Sequence, residues 1–157
     1  MQDEIVQAKK KAMSLLQHMD RTEWELRDKL AQKAFSQEAV DEAVEYVRSF
    51  HYIDDLRYAV HFVEIHHQKR SIQRLKQDLY KRHVPEEYID IALDSIDRDD
   101  SAALKEAIRK LTRGETGFSY QEKQKMAMKL CRKGFRLHDV KRELDLSGDD
   151  EFMRTFP

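Results

Sequence analysis

A set of apolar positions recurs along the chain at a spacing of 49 and then 51 residues, which is the strongest constraint on its fold. The clearest column of this repeat contains Leu30, Leu79 and Leu130. Three further columns keep the same spacing: Leu26, Leu75 and Met126; Phe35, Val84 and Phe135; and Val40, Ile89 and Val140. Because four columns share one offset, the pattern predicts a tandem array of similar structural units that pack against their neighbours.

Each unit is predicted to contain three short helices. In the first 50 residues the apolar positions recur with helical periodicity, and two capping signals divide them. Thr22 with Glu25 forms a capping-box pattern before the second helix, and Ser36 can cap the third. In the second copy, Pro85 stands at a first-turn position, where its missing N–H does no harm.

The predicted fold is therefore all-α, with three tandem three-helix repeats stacked into an elongated, curved array. We place the repeats at residues 1–53, 54–97 and 98–146, followed by a C-terminal tail at 147–157. The composition agrees, because 38% of residues are charged, 40% are apolar, and only four are Gly and two Pro. Helices need few turn residues, and no β-branched run bounded by turn residues stands out.

The seam between the first two copies is the most distinctive segment of the sequence. It comprises Tyr52, Ile53, Asp54, Asp55, Arg57, Tyr58 and Ala59. Ile53 ends one apolar stripe, and either Asp54 or Asp55 can cap the helix that follows. Trp24 and the Phe and Tyr residues fall on apolar stripes and are expected in the core, while Tyr52, Tyr58 and Tyr80 could face a partner.

Catalytic and metal chemistry find little support in the residues. His61, Glu64, His66 and His67 resemble metal ligands, but their helix must also pack an apolar face and no second ligand cluster appears. The four glycines form no phosphate-binding loop, and no serine has a nucleophile context. Cys131 lies on an apolar helix face, which indicates a structural thiol. We expect a protein that is not an enzyme and binds no cofactor and no metal.

The chain carries no secretory signal and no apolar segment of the roughly 20 residues that a membrane span needs. A single cysteine excludes an internal disulfide and suits a reducing compartment. We therefore expect a cytoplasmic protein with no membrane contact, and a monomer.

Positive charge concentrates in the second and third copies, although the net charge of the chain is −1. Residues 69–83 contain six bases and one acid, and residues 101–142 contain twelve bases and four acids. The bases around the second helices form two clusters, which we predict as a partner- or DNA-binding surface: Lys69, Arg70, Arg74, Lys76, Lys81 and Arg82 in copy two, and Lys125, Lys129, Arg132, Lys133 and Arg136 in copy three. Such a surface suits nucleic-acid phosphates and an acidic protein surface equally well.

The sequence resembles the RecX family of bacterial regulators. The resemblance rests on Arg21-Thr22-x-x-Glu25-Leu26-x-x-Lys29-Leu30, on the seam, on Ile72-x-x-Leu75-x-x-x-Leu79, and on Leu130-x-x-Lys133-Gly134-Phe135. It implies a curved stack of three-helix repeats that binds the RecA filament on single-stranded DNA. It further implies a restraint on filament growth, ATP hydrolysis and strand exchange, which connects the chain to homologous recombination, DNA repair and the SOS response.

Two positions depart from the family pattern. The family usually has glycine just before the second helix of the middle repeat and again near its end, where this chain has Lys69-Arg70-Ser71 and His83. We expect Ser71 to cap the helix in place of the glycine turn.

Two other functions remain open from the residues alone. A helical-repeat adaptor for another protein would leave the basic clusters merely solvated. A helix-turn-helix protein could instead place one helix in the major groove of duplex DNA. Direct binding of single-stranded DNA by the chain is also left open by its modest net charge.

Overall fold

The computed structural model describes residues 2–146, and in this part of the chain every regular element is an α-helix. The nine helices are α1 (Gln2–His18), α2 (Glu23–Gln32), α3 (Gln37–Ser49), α4 (Asp55–His66), α5 (Ile72–Lys81), α6 (Glu86–Asp94), α7 (Ser101–Thr112), α8 (Tyr120–Arg132) and α9 (Leu137–Glu143). The prediction of an all-α fold is confirmed. The predicted tail at 147–157 lies outside the described residues.

The described chain forms two compact units. Unit 1 contains residues 2–62 and 78–92, and unit 2 contains residues 63–77 and 93–146. Helices α4, α5 and α6 therefore contribute residues to both units. The three repeat boundaries placed from the sequence stay a prediction.

The core of unit 1 forms where α1 and α2 pack against α3. Small residues allow the close approach of α1 and α3, since Ala8, Ala12, Ala39 and Ala43 are fully buried. Leu26 and Leu30 of α2 complete this core and are also inaccessible to solvent. The apolar stripes read from the sequence thus mark the buried faces.

The core of unit 2 repeats this arrangement with α7, α8 and α9. Leu130 and Val140 are fully buried, and Phe135 is nearly so. Met126, the sulfur-containing member of its column, is only partly buried and packs against this cluster. Leu30, Leu79 and Leu130 are all inaccessible to solvent, so the column that defines the repeat is a core column.

The same hydrogen bond ties the second helix of one copy to the second helix of the next, once in each unit. In unit 1 the Thr22 hydroxyl, which caps α2, donates to the Arg82 carbonyl oxygen at 2.9 Å. In unit 2 the Ser71 hydroxyl, which caps α5, donates to the Lys133 carbonyl oxygen at 2.8 Å. Both hydroxyl-bearing residues are buried. Each hydroxyl satisfies a helix-start N–H and a carbonyl at a helix end, groups that helices otherwise leave unpaired.

The predicted caps are confirmed. Thr22 and Glu25 form a reciprocal capping box, and the Ser36 hydroxyl accepts from the Ala39 N–H. The Ser71 hydroxyl accepts from the Arg74 N–H, so Ser71 does replace the glycine turn as the cap of α5.

A left-handed residue follows each second helix, at Ala34, His83 and Gly134. Only the third is a glycine, and there the conformation and the space both require one. At Gly134, φ is +101°, and an added Cβ would stand 2.7 Å from the Ser71 hydroxyl oxygen. A side chain at this position would therefore displace the hydroxyl that bonds to Lys133.

The expectation that the large aromatic residues are core is wrong for several of them. Trp24 is 43% exposed and stacks on the His83 ring, with centroids 4.2 Å apart. Tyr46 and Phe50 are also exposed. Trp24 lies at the edge of the stripe formed by Leu26 and Leu30 and stacks on His83, and Phe50 stands at the C-cap of α3, beyond its last turn.

We predict that Ser71→Ala destabilises the protein by about 2 kcal/mol and that Ser119→Ala costs about 1 kcal/mol. Both serines cap a second helix, but Ser119 is exposed and caps α8 through a box with Glu122, whereas Ser71 is buried and also bonds to Lys133. Urea unfolding of the two variants measures the difference. Equal losses would show that the bond to Lys133 contributes nothing to stability.

We predict that Ala34→Gly stabilises the protein by about 0.5–1 kcal/mol, because Ala34 is exposed with φ of +65°, a conformation that costs an alanine free energy. Ala31→Gly, three residues earlier and inside α2, should destabilise it by about the same amount. The two unfolding free energies should move in opposite directions. A loss of stability in both variants would contradict the assignment of Ala34 as a left-handed helix end.

Candidate partner-binding site

The two aspartates of the seam have separate roles. Asp54 caps its own helix, since its carboxylate accepts from the Arg57 N–H at 3.0 Å. Asp55 accepts instead from the Glu23 N–H at 2.9 Å, the first N–H of α2 in the preceding copy. The sequence offered either aspartate as a cap, and the structure uses both, on two different helices.

Asp99 and Asp100 repeat this arrangement in unit 2. The Asp99 carboxylate accepts from the Ser101 N–H at 2.9 Å, and the Asp100 carboxylate accepts from the Ile72 N–H at 3.0 Å. Asp100 is buried, as expected for a carboxylate that completes a contact between two copies. The aspartate pair is thus part of the repeat, which the apolar columns alone did not reveal.

The environment of Asp55 raises its pKa from 3.8 to about 6. Burial is the largest cause, because it disfavours the charged form. The nearby carboxylates of Asp54 and Glu25 raise the pKa further, and Arg48 opposes them.

The other seam residues divide between core and surface. Ile53 and Ala59 are buried, and Tyr58 is half-buried, with its pKa raised chiefly by burial. Arg57 is exposed and donates to the His51 carbonyl oxygen at 3.0 Å. The seam therefore works as a joint between copies.

Positive charge converges on a cleft in unit 2. Its volume is about 290 Å³, and it is lined by Lys69, Arg70, Ser71, Arg74, Glu106, Ala107, Lys110, Lys133 and Phe135. Five of these residues are bases and one is an acid. Ser71 and Lys133 bring the two sides together, since the hydrogen bond between them joins the start of α5 to the end of α8.

Glu106, the acid of this cleft, is held in its charged form. Hydrogen bonds from Arg109, at 2.6 and 2.9 Å, are the main cause that lowers its pKa. The charges of Lys110 and Lys69 lower the pKa of Glu106 as well. The cleft remains strongly basic, because five cations surround one carboxylate whose negative charge is already paired with Arg109.

Four of the eleven predicted basic residues line this cleft: Lys69, Arg70, Arg74 and Lys133. Six others are exposed but lie outside its lining: Lys76, Lys81, Lys125, Lys129, Arg132 and Arg136. Arg136 is paired with Asp139 at 3.5 Å. Arg82 is half-buried in unit 1, where it donates to the Asp78 carbonyl oxygen and lies over the Phe62 ring at 4.9 Å. Its side chain thus serves the packing of unit 1.

Sequence reasoning missed Lys110 as a member of the cleft. Lys110 was counted in the excess positive charge of residues 101–142. It was left out of the predicted clusters because they were drawn around the second helices, and Lys110 lies on the first helix of copy three. Glu106 and Lys110 are four residues apart on α7, so they share a helix face. That spacing could have grouped them, yet only the packing of α7 brings that face to the start of α5.

The structure also bears on the residues that resemble metal ligands. Among residues 2–146, no three His, Cys, Asp or Glu side chains are grouped so that they could hold a metal ion. Cys131 is half-buried, and burial raises the pKa of its thiol, which disfavours the nucleophilic thiolate. None of the described helices is both long and apolar enough to cross a membrane.

These features define the class of the protein as an all-α helical-repeat protein with charged surface clusters. Comparison with known proteins places it more narrowly. Residues 8–46 match the model for the first three-helix domain of RecX, and residues 54–93 match the model for the second. The chain belongs to the RecX family.

Individual relatives support this assignment. The regulatory protein RecX of Caldanaerobacter subterraneus subsp. tengcongensis is 35% identical over 145 residues, which cover 92% of this chain and 72% of the relative. The regulatory protein RecX of Vibrio campbellii is 27% identical over 151 residues, covering 96% and 97% of the two chains. The crystal structure of RecX from Lactobacillus salivarius superposes with a TM-score of 0.76 at 24% identity, over 93% of this chain and 99% of that one. The helical-repeat fold is thereby confirmed.

We predict that the contribution of Asp55 to stability falls as the pH rises from about 4 to about 6. In this range the folded protein retains a proton on Asp55 that the unfolded chain has released, so a higher pH favours unfolding. Asp55→Asn keeps an oxygen that can accept from Glu23 but cannot titrate. Urea unfolding at several pH values should show the variant gaining stability relative to the parent as the pH rises. A constant difference between the two proteins would contradict the raised pKa.

Proposed function

We propose that this protein binds the RecA filament on single-stranded DNA and restrains its growth, ATP hydrolysis and strand exchange. The observation that carries the proposal is the basic cleft of unit 2 in a member of the RecX family. A RecA filament presents acidic protein surface and DNA phosphate, and clustered Lys and Arg attract both. Regulation of this kind requires binding alone, and the proposal assigns the protein no catalytic step.

The two arginines of the cleft suit this role. Their planar guanidinium groups can each form two parallel hydrogen bonds to a carboxylate or a phosphate. Arg70 and Arg74 are four residues apart at the start of α5, and the bond between Ser71 and Lys133 holds this helix start against the end of α8. The backbone that carries these cations is therefore tied to a second helix, and a contact of this kind reduces the ordering that partner binding requires.

The exposed bases of α8 extend the positive surface beyond the cleft. Lys125, Lys129 and Arg132 lie on this one helix and are all exposed. Together with the cleft they form the partner-contacting surface of the proposal.

We predict that reversing four charges, in Arg70→Glu, Arg74→Glu, Lys129→Glu and Lys133→Glu, abolishes inhibition of RecA. The measurement is single-stranded-DNA-dependent ATP hydrolysis by RecA with the protein titrated at substoichiometric levels. The parent protein should inhibit well below one copy per RecA, because a filament regulator acts on many subunits from few sites. The variant should not inhibit, since repulsion replaces attraction at the contact.

A control variant reverses four exposed bases outside the two basic clusters and outside the cleft: Lys29→Glu, Lys33→Glu, Lys105→Glu and Arg113→Glu. It changes the net charge by the same amount and should inhibit like the parent. Circular dichroism melting verifies that both variants fold. Full inhibition by the folded cleft variant would refute the assignment of this surface, and no inhibition by the parent would favour an adaptor function for another protein.

A further inference from the structure

Three aromatic side chains form a continuous exposed ladder on unit 1. The Tyr46 and Phe50 rings meet edge to face with centroids 5.1 Å apart, and the Phe50 and Tyr52 rings stack at 5.7 Å. Tyr46, Phe50 and Tyr52 are 37%, 53% and 48% exposed, so more than a third of each remains open to solvent. The cores of the described units do not use these rings.

The backbone at the end of α3 builds this ladder. His51 is left-handed, with φ of +59°, and it follows the last turn of the helix. Phe50 and Tyr52 stand on either side of this left-handed residue, and their rings stack on each other. Tyr52 is fixed there by its N–H, which donates to the Val47 carbonyl oxygen at 3.0 Å.

A basic groove adjoins the ladder. It has a volume of about 520 Å³ and is lined by Val6, Lys9, Lys10, Met13, Ser14, Gln17 and Tyr46. The Lys9 ammonium lies 4.9 Å from the centroid of the Tyr46 ring, which connects the cations of α1 to the aromatic ladder of α3. No carboxylate contributes to the lining of this groove.

We propose that this surface binds single-stranded nucleic acid, with unpaired bases stacked on Tyr46, Phe50 and Tyr52 and backbone phosphates held by Lys9 and Lys10. Neighbouring aromatic side chains beside a positively charged groove are the combination by which proteins hold single strands without reading their sequence. The aromatic faces attract bases of any identity, and the lysines neutralise phosphates.

The chemistry of the surface favours a single strand over a protein partner. A protein interface would place the aromatic residues at its centre with few charges among them. Here a lysine stands directly over an aromatic ring, and a second lysine lines the same groove. Glu42, one turn before Tyr46 on α3, is the carboxylate that shares the helix face of the ladder. Its charge should weaken the binding of a phosphate backbone.

This surface is separate from the basic cleft of unit 2, and the proposal does not depend on contact between that cleft and RecA. The test uses the full chain and a fluorescein-labelled oligothymidylate of about 20 nucleotides, with no RecA present. Fluorescence anisotropy gives the dissociation constant. Failure of this test would leave the proposed function untouched, and failure of RecA inhibition would leave this proposal untouched.

Phe50→Ala and Tyr52→Ala should each weaken oligothymidylate binding about tenfold, the effect expected from the loss of one base stack. Tyr80→Ala is the matched control, because Tyr80 also belongs to unit 1 and is 76% exposed but stands outside the ladder. It should bind like the parent. Phe50→Leu keeps apolar bulk at the surface but removes the aromatic face, and it should still lose most of the affinity.

Glu42→Gln should strengthen binding several-fold, because it removes a negative charge from the path of the phosphates. This gain does not arise from a damaged fold, so it separates direct contact from structural harm. The proposal is overturned if the parent does not bind the oligonucleotide at physiological salt, or if the ladder variants bind as well as Tyr80→Ala. Ladder variants that keep oligonucleotide affinity but lose RecA inhibition would assign the surface to a protein partner instead.

Discussion

The structure depends on a hydrogen bond that uses the start of one helix to satisfy the end of another. The N-cap hydroxyl of a second helix donates to a carbonyl at the end of the second helix in the next copy, from Thr22 to Arg82 and from Ser71 to Lys133. Helix ends leave backbone groups unpaired, and burying them unpaired is costly. A chain of short helices has many such ends. Pairing them between copies relieves that cost and also sets the register of one copy on the next.

The two aspartate pairs, Asp54 with Asp55 and Asp99 with Asp100, contribute further hydrogen bonds at the junctions between copies. Asp55 and Asp100 each accept from the first N–H of a second helix in the preceding copy, while Asp54 and Asp99 bond within their own copies. The carboxylates of Asp55 and Asp100 thereby each satisfy a helix-start N–H that the helix itself leaves unpaired. In unit 2, the hydrogen bond from Ser71 to Lys133 joins α5 to α8 and so brings Lys133 to the cations at the start of α5. The joint that holds the copies therefore assembles the charged cleft.

Much of this could be predicted from the sequence, and the failures share a cause. The column of Leu30, Leu79 and Leu130 and the caps at Thr22 and Ser36 depend on short-range periodicity and spacing, which a sequence displays directly. The exposure of Trp24 cannot be read from short-range spacing, because a tryptophan at the edge of an apolar stripe can either pack inward or stack on a neighbouring side chain. Its neighbour, His83, is 59 residues away in the chain. Lys110 was missed for the same reason, since the other bases of the cleft lie on or beside α5 and α8 and only Glu106 and Ala107 share its helix.

The sequence by itself determined that the chain is helical, that it repeats, that its helices begin at capping residues, and that its positive charge concentrates in the later copies. Each of these properties follows from residue types within a few turns or at a fixed offset. Only the tertiary structure decided which bases share a cleft, which aspartate caps which helix, and that Tyr46, Phe50 and Tyr52 form an exposed ladder. These outcomes depend on which helix faces pack together and on where the chain turns, as at left-handed His51. Hydrophobic periodicity could not determine them, because it identifies the buried face of a helix without specifying the face that packs against it.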